Sequence, residues 1–156
     1  MSNHFVNVGR GKGIVTFWKD GYAFDQDVCK TNYQITKISS QNIDVINVYR
    51  SHGNSDDSTF VMDLLQLFDV NKKTVLVGDL NICYREQRNH FIVNTLEDHG
   101  FSQLVENPTH IEGRQLDHAY VYTPSNQEKL KHQVSQFGQY FSYHDLIIIN
   151  LTGVSI

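Results

Sequence analysis

Cysteine and long apolar runs are scarce in this chain of 156 residues. Cys29 and Cys83 are its only cysteines. They are too few for a disulfide framework, and their spacing to the histidines fits no zinc pattern. No apolar run approaches the length of a membrane span, and the first residues lack the basic and apolar regions of a signal peptide. We therefore expect an intracellular protein with no membrane association.

Linkers and repeats are also missing. The two prolines stand apart, no Gly-rich or low-complexity stretch interrupts the chain, and no segment repeats. Hydrophobic residues make up 40% of the chain and charged residues 19%, a composition typical of ordinary globular proteins. The sequence predicts a single domain over residues 1–156.

The chain also lacks a surplus of positive charge. It has 13 Lys and Arg against 17 Asp and Glu, which gives a net charge of -4. Non-specific affinity for a nucleic-acid duplex comes mostly from Lys and Arg side chains that neutralise phosphates. The charge balance therefore weakens a nucleic-acid interpretation without excluding it, since metal ions can offset an acidic site locally. Arg85 and Arg88 closely follow an acidic turn and could bind a substrate phosphate. The alternative is that they belong to an exposed first turn of a helix.

That acidic turn follows a short apolar run, in the sequence Val-Leu-Val-Gly-Asp-Leu-Asn at 75–81. It presents a carboxylate, Asp79, and a carboxamide, Asn81, at the end of a predicted strand. Asp79 could bind a metal ion or orient a water molecule, and Asn81 could donate a hydrogen bond to a phosphate oxygen. The simpler alternative is that both residues only shape a turn by bonding their own backbone.

Hydrophobic periodicity predicts an alternation of strands and covering helices. One helix is predicted over the apolar repeat 60–68, capped by the polar residues 56–58. A second is predicted from about Glu86 to His99, with Phe91, Ile92 and Leu96 facing inward and Gly100 ending it. Residues 106–115 are predicted to form a loop that could contact substrate. Strands are predicted at 13–18, 33–39, 43–49, 74–77, 101–105, 118–122 and 146–151. This pattern alone leaves a doubly wound sheet and a two-sheet sandwich open.

Two further polar clusters adjoin apolar strands, Gln-Leu-Asp-His at 115–118 and Ser-Tyr-His-Asp at 142–145. Together with Asn-Val-Tyr at 47–49 and Gly-Asp-Leu-Asn at 78–81, their order resembles the endonuclease/exonuclease/phosphatase superfamily, which has the DNase I-like fold. These motifs are most similar to those of mobile-element endonuclease domains. The resemblance implies an α+β fold, a two-sheet β-sandwich flanked by helices in four α/β/β/α layers. The family's metal-binding Glu lies well ahead of Asn-Val-Tyr, and only 46 residues precede Asn47. The resemblance therefore also implies that the N-terminal part of the fold is missing.

The same resemblance assigns roles to individual residues. Asp79 would position or deprotonate the attacking water, and Asn81 would hold a phosphate oxygen. His144 would stabilise the pentavalent phosphorus, with Asp117 as the partner that raises the pKa of its imidazole. Tyr49 would contact a substrate phosphate. The simpler alternatives are a buried Tyr49, an edge pair of Asp117 with its neighbour, and a core His144.

The metal ligands implied are Asp79, Asn81 and Asp145, for Mg²⁺ or Mn²⁺. Tyr143 stands where most members have an Asp, and a phenol is a poor ligand for a hard cation. Asp145 could compensate, although on a strand it would share the face of Tyr143 and oppose His144.

The function implied is metal-dependent hydrolysis of phosphodiester bonds by a DNA endonuclease of mobile-element origin, with DNA as substrate and a nuclear location. Two alternatives stay open: a catalytically inactive fragment that acts at most as a binding module, and a phosphomonoesterase of the same superfamily. Sheet edges left exposed by missing strands would favour self-association.

Overall fold

The computed structural model describes residues 1–9, 12–53 and 56–153, and for residues 3–9 and 12 it describes the backbone alone. Its elements, in chain order, are β1 (Ser2–Gly9), β2 (Lys12–Trp18), β3 (Ala23–Cys29), β4 (Tyr33–Ser39), β5 (Ile43–Arg50), α1 (Asp57–Leu67), β6 (Lys73–Asp79), α2 (Phe91–Asp98), β7 (Ser102–Gln103), β8 (Asp117–Tyr122), β9 (Lys131–Phe137) and β10 (Leu146–Thr152). None of the described helices is long and apolar enough to cross a membrane.

A six-stranded sheet in the order β3-β4-β5-β6-β8-β7 forms the centre of the fold. Strands β5 and β6 run parallel, and α1 makes the crossover between them. The other neighbours in this sheet are antiparallel. Two antiparallel hairpins, β1 with β2 and β9 with β10, form separate two-stranded sheets.

The two faces of the central sheet bury different apolar side chains, because successive residues of a strand point to opposite sides. On one face, Ile46, Leu76 and Tyr120 pack with apolar residues of both α1 and α2 in the largest core cluster. On the other face, Val77 and Ala119 pack with Val134, Ile147 and Ile149 of the β9–β10 hairpin. Helices cover one side of the sheet and strands the other, which confirms the predicted α+β fold with layered sheets.

The second helix was predicted with the wrong start. It begins at Phe91 rather than near Glu86, because the segment before it forms turns in which Glu86 N–H bonds the carbonyl of Cys83 and His90 N–H bonds that of Gln87. Phe91, predicted inward, is 52% exposed, since it occupies the first helical position. The inward positions of Ile92 and Leu96 are confirmed, and so is the left-handed turn at Gly100, where φ is +86°.

The predicted strands are all present, but β1, β3 and β9 were not predicted. In β3 six of the seven residues are exposed, so no apolar alternation marks it. In β9 the residues are exposed or half-buried and mostly polar. Strands of this kind form through pairing with neighbours rather than through an apolar face of their own.

His118 is the core histidine of this fold, on the helix face of β8. Its Nε2 lies 2.8 Å from the carbonyl oxygen of Ile82 and its Nδ1 lies 3.0 Å from the Tyr120 hydroxyl oxygen. Because a carbonyl only accepts, Nε2 carries the proton and Nδ1 accepts. Burial lowers the pKa of His118 to about 4. His118 is therefore a neutral structural group, and its neighbour Asp117 points to the other side of the sheet.

Candidate active site

Strand register brings three predicted site residues into one row. Asp79 at the end of β6 is paired directly with Asp117 at the start of β8, and Tyr49 on β5 is paired with Asp79. All three are half-buried and lie on the face opposite the helices. The row therefore forms at the edge of the sheet where β5 and β6 end.

His144 reaches this row from the segment between β9 and β10. A backbone bridge joins it to His110, and hydrogen bonds on either side, Ile111 N–H to Tyr143 and Asp145 N–H to Thr109, hold the two segments together. The His144 Nδ1 lies 2.8 Å from Asp117 Oδ2. Since a carboxylate accepts, Nδ1 is the donor, and the predicted Asp117–His144 pair is present.

Asp79, Asp117 and His144 form the one group of three or more potential His, Cys, Asp or Glu metal ligands among the described residues. One ligand atom from each lies within 4.8 Å of the others. Carboxylate oxygens suit hard divalent cations such as Mg²⁺ and Mn²⁺, whereas an imidazole suits Zn²⁺ and other softer transition metals. The donor set therefore fits a divalent cation. We refer to these three residues as the acidic triad.

Burial raises the pKa of Asp79 to about 6. The hydrogen bond from Asn81 N–H and the charge of His144 oppose this shift, whereas the charge of Asp117 adds to it. Near neutral pH the Asp79 carboxylate is therefore ionised, but it holds a proton more tightly than an ordinary aspartate. This is the behaviour of a general base that works close to pH 7.

The pKa of His144 is raised despite its burial. Burial alone would lower the pKa, but the hydrogen bond to Asp117 and the charges of Asp117, Asp79 and Asp145 outweigh it. The folded site therefore favours the imidazolium. A positive ring beside two carboxylates can stabilise negative charge on a phosphoryl group.

Asn81 shapes the turn that follows β6 and is hydrogen-bonded to Asp79 through its backbone. Its backbone has φ +52°, its N–H donates to Asp79 Oδ1 at 2.9 Å, and its Nδ2 donates to the carbonyl of Arg50 at 2.7 Å. The first bond is the turn-forming contact that the simpler interpretation anticipates. The second fixes the orientation of the amide beside Asp79.

The remaining predicted site residues lie outside the triad. Asp145 accepts a hydrogen bond from Gln136 Nε2 at 2.7 Å. Asp145 lies just before β10, which begins at Leu146, so a strand alternation that would set Asp145 opposite His144 does not apply. Arg88 stacks on the Tyr84 ring, 4.5 Å from its centroid, and together with Arg85 lines a separate cleft of about 450 Å³. Substrate and metal roles for these three residues remain predictions.

The sequence gives no reason to single out His110 and Arg114 individually. The His110 ring lies edge-on to that of His144, with centroids 5.0 Å apart. Arg114 lines a cleft with Asn81. Both belong to the segment 106–115, which was predicted as a loop that could contact substrate, so the only available signal was the position of this loop ahead of Asp117.

The chain matches no protein-family model and no curated protein. Solved structures with similar folds include the following two. One is the endonuclease domain of TRAS1, a telomere-specific non-LTR retrotransposon, with 13% identity, coverage of 96% of this chain and 77% of that chain, and a TM-score of 0.59. The other is the human Nocturnin catalytic domain with bound sulfate anion, with 11% identity, coverage of 97% and 72%, and a TM-score of 0.61. The likeness shows that this chain has the DNase I-like fold, and it confirms the predicted resemblance at the level of the fold.

Proposed function

We propose that this chain hydrolyses phosphodiester bonds of nucleic acid, with Mg²⁺ or Mn²⁺ bound at the two carboxylates of the acidic triad. The observation that carries the proposal is the convergence of Asp79 with the hydrogen-bonded pair of Asp117 and His144, whose ligand atoms lie within 4.8 Å of one another. These residues come from β6, β8 and the segment before β10. Their combination supplies a base, a positively charged imidazolium and carboxylate metal ligands in one place.

Each residue has a distinct role in this hydrolysis. A bound divalent cation would neutralise charge on the phosphoryl oxygens, and Asp79 and Asp117 would hold it, with Asn81 beside them. Asp79 positions the attacking water and accepts a proton from it. As the new P–O bond forms and the bond to the leaving oxygen breaks, the His144 imidazolium stabilises the developing negative charge. Asp117 keeps that ring protonated and oriented.

A plasmid-nicking assay with Mg²⁺ or Mn²⁺ tests the proposal. We expect the wild type to nick supercoiled DNA, and His144→Ala and Asp117→Asn to slow nicking by roughly 10²-fold or more, because the charge opposite the phosphoryl oxygens is lost or misplaced. His132→Ala is the matched control, since His132 is an exposed histidine on β9.

Two other outcomes of the assay would each indicate an alternative function. A folded wild type that binds DNA without cutting it would indicate a binding module. Release of phosphate from small monoesters, with plasmid left intact, would indicate a phosphomonoesterase. Either result would contradict the proposal.

We also propose that DNA is the substrate, that the chain derives from a mobile element and that it acts in the nucleus. Supporting this, one of the structurally similar proteins is the endonuclease domain of a telomere-specific non-LTR retrotransposon.

Self-association through sheet edges is a separate proposal. The edges of the central sheet are β3 and β7, and an edge strand can pair with another chain. Size-exclusion chromatography across a range of concentrations should show species larger than a monomer, and a monomer at every concentration would contradict it.

A further inference from the structure

A cleft of about 510 Å³ lies beside the acidic triad, at the end of β5 and the turn after β6. Asn81 belongs to both places, because its side chain lines the cleft while its backbone N–H bonds Asp79. None of the triad residues lines this cleft. A ligand that occupied it would therefore be next to the reacting centre rather than in it.

The charged and titratable groups that line the cleft are mainly cationic or basic. Arg114 and Arg50 carry positive charge, His52 and His90 are titratable, and Glu86 is the one acidic residue. Arg50 is already engaged, since it forms an ion pair with Asp57 at 2.6 Å and donates to the carbonyl of Leu80. Arg114 is therefore the cation available to a ligand.

Arg114 is half-buried, and within the described part of the chain its guanidinium has neither an ion-pair nor a hydrogen-bond partner. Its backbone is fixed, however, because the Arg114 carbonyl accepts hydrogen bonds from the N–H groups of both Thr109 and His110. The guanidinium therefore has no internal partner to give up when it binds an anion, and its planar fork matches the oxygens of a phosphate.

The backbone around Arg114 is also tied to the triad. Thr109 Oγ1 accepts the N–H of Asp117 at 3.0 Å, and the His110 ring contacts that of His144. The short turn that presents Arg114 therefore spans from the cleft to the reacting residues. A nucleic-acid strand carries phosphates on both sides of the scissile one, so a cleft connected to the triad through Asn81 and this turn is suited to hold one of them.

We propose that this cleft binds the phosphate next to the scissile one in a nucleic-acid strand, and that Arg114 is the residue that grips it. The inference rests on the proposed function and makes it more specific. It makes Arg114 a specificity-determining residue that favours polynucleotides over small esters with a single phosphate. Arg114 takes no part in bond cleavage itself.

The test compares a substrate that has a second phosphate with one that lacks it. One is a fluorescently labelled double-stranded oligonucleotide, and the other is bis(p-nitrophenyl) phosphate, a diester with no neighbouring phosphate. For Arg114→Gln we expect KM for the oligonucleotide to rise about tenfold with kcat within about twofold, and the slope of log KM against log salt to fall by roughly one. Hydrolysis of the small diester should not change.

Two further variants separate charge, shape and folding. Arg114→Lys keeps the charge but loses the bidentate fork, so its KM should lie between those of the wild type and Arg114→Gln. Lys129→Gln is the control with the same charge change, because Lys129 is exposed in the loop between β8 and β9, where neither the cleft nor the triad lies. It should behave as the wild type. Circular dichroism melts verify that every variant is folded.

An equal loss of kcat/KM on both substrates would overturn the inference, because Arg114 would then act on the reacting centre. An unchanged KM for the oligonucleotide would also overturn it. If the wild type hydrolyses neither substrate, the proposed function fails, and fluorescence anisotropy of the oligonucleotide in Ca²⁺ buffer decides the inference alone. Binding that is about tenfold weaker in Arg114→Gln supports the proposed role of the cleft. Equal binding by the two proteins, or no binding by either, overturns it.

Discussion

Asp79→Asn is expected to lower the hydrolysis rate by about 10³-fold, because an amide cannot accept the proton of the attacking water. The substitution keeps an oxygen that can accept the Asn81 N–H, so the turn after β6 should remain intact. Nicking assays and the rate on bis(p-nitrophenyl) phosphate measure the loss. A variant with more than about a tenth of the wild-type rate would show that Asp79 is not the base.

The same variant should be more stable than the wild type when divalent ions are removed with EDTA. Burial raises the pKa of Asp79 from 3.8 to about 6 in the folded state. The folded state therefore binds this proton more tightly than the unfolded state, and the ionised carboxylate opposes folding above pH 6. The penalty is about 3 kcal/mol at pH 7, from roughly 1.4 kcal/mol per unit of pKa. It falls to about 0.5 kcal/mol at pH 4, where the folded state is protonated and the unfolded state is partly protonated.

Urea unfolding at pH 7 and pH 4 tests this stabilisation. The free energy of unfolding of Asp79→Asn should exceed that of the wild type by up to about 3 kcal/mol at pH 7, but by only about 0.5 kcal/mol at pH 4. Glu128→Gln is the control, since Glu128 is an exposed carboxylate, and it should change stability by less than about 0.5 kcal/mol. Equal stability of Asp79→Asn and the wild type at pH 7 would contradict the tight burial of Asp79.

Gly78→Ala is expected to prevent stable folding. A Cβ at this position would lie 1.8 Å from the carbonyl oxygen of Val48, its partner on the parallel strand β5, and the φ of Gly78 is +144°. Neither backbone can move without separating β5 from β6. We expect a cost of more than about 4 kcal/mol, which is a large part of the stability of an ordinary domain. The residue that follows, Asp79, would also be displaced.

The control for Gly78→Ala is Gly113→Ala. Gly113 also has a positive φ, +78°, but an added Cβ would have no atom within 4 Å. Gly113→Ala therefore isolates the cost of placing a side chain at a positive φ, which we expect to be about 1–2 kcal/mol. Urea unfolding and circular dichroism measure both variants, and a Gly78→Ala protein as stable as Gly113→Ala would show that the strands can separate without loss.

Local sequence patterns predicted the elements whose residues carry their own signal. The apolar alternation of β4 and β5 marks both strands, and Gly78-Asp79-Leu80-Asn81 marks the end of β6, because such patterns depend only on neighbours in the chain. Strand β3 carries no such signal, since most of its residues are exposed and it forms by pairing with β4. The start of α2 was missed because turns precede it, and helix boundaries depend on such local hydrogen bonds.

The chain order of Tyr49, Asp79, Asp117 and His144 could be recognised in the sequence by itself, and with it the residue types that this chemistry needs. Their convergence was decided by tertiary structure, because it depends on the register that pairs β6 with β8 and on the bridge between His110 and His144. The same is true of Arg114, whose only marker in the sequence is a place in a loop. Register and packing join residues far apart in the chain, and no local pattern of side chains specifies which distant partner a strand will meet.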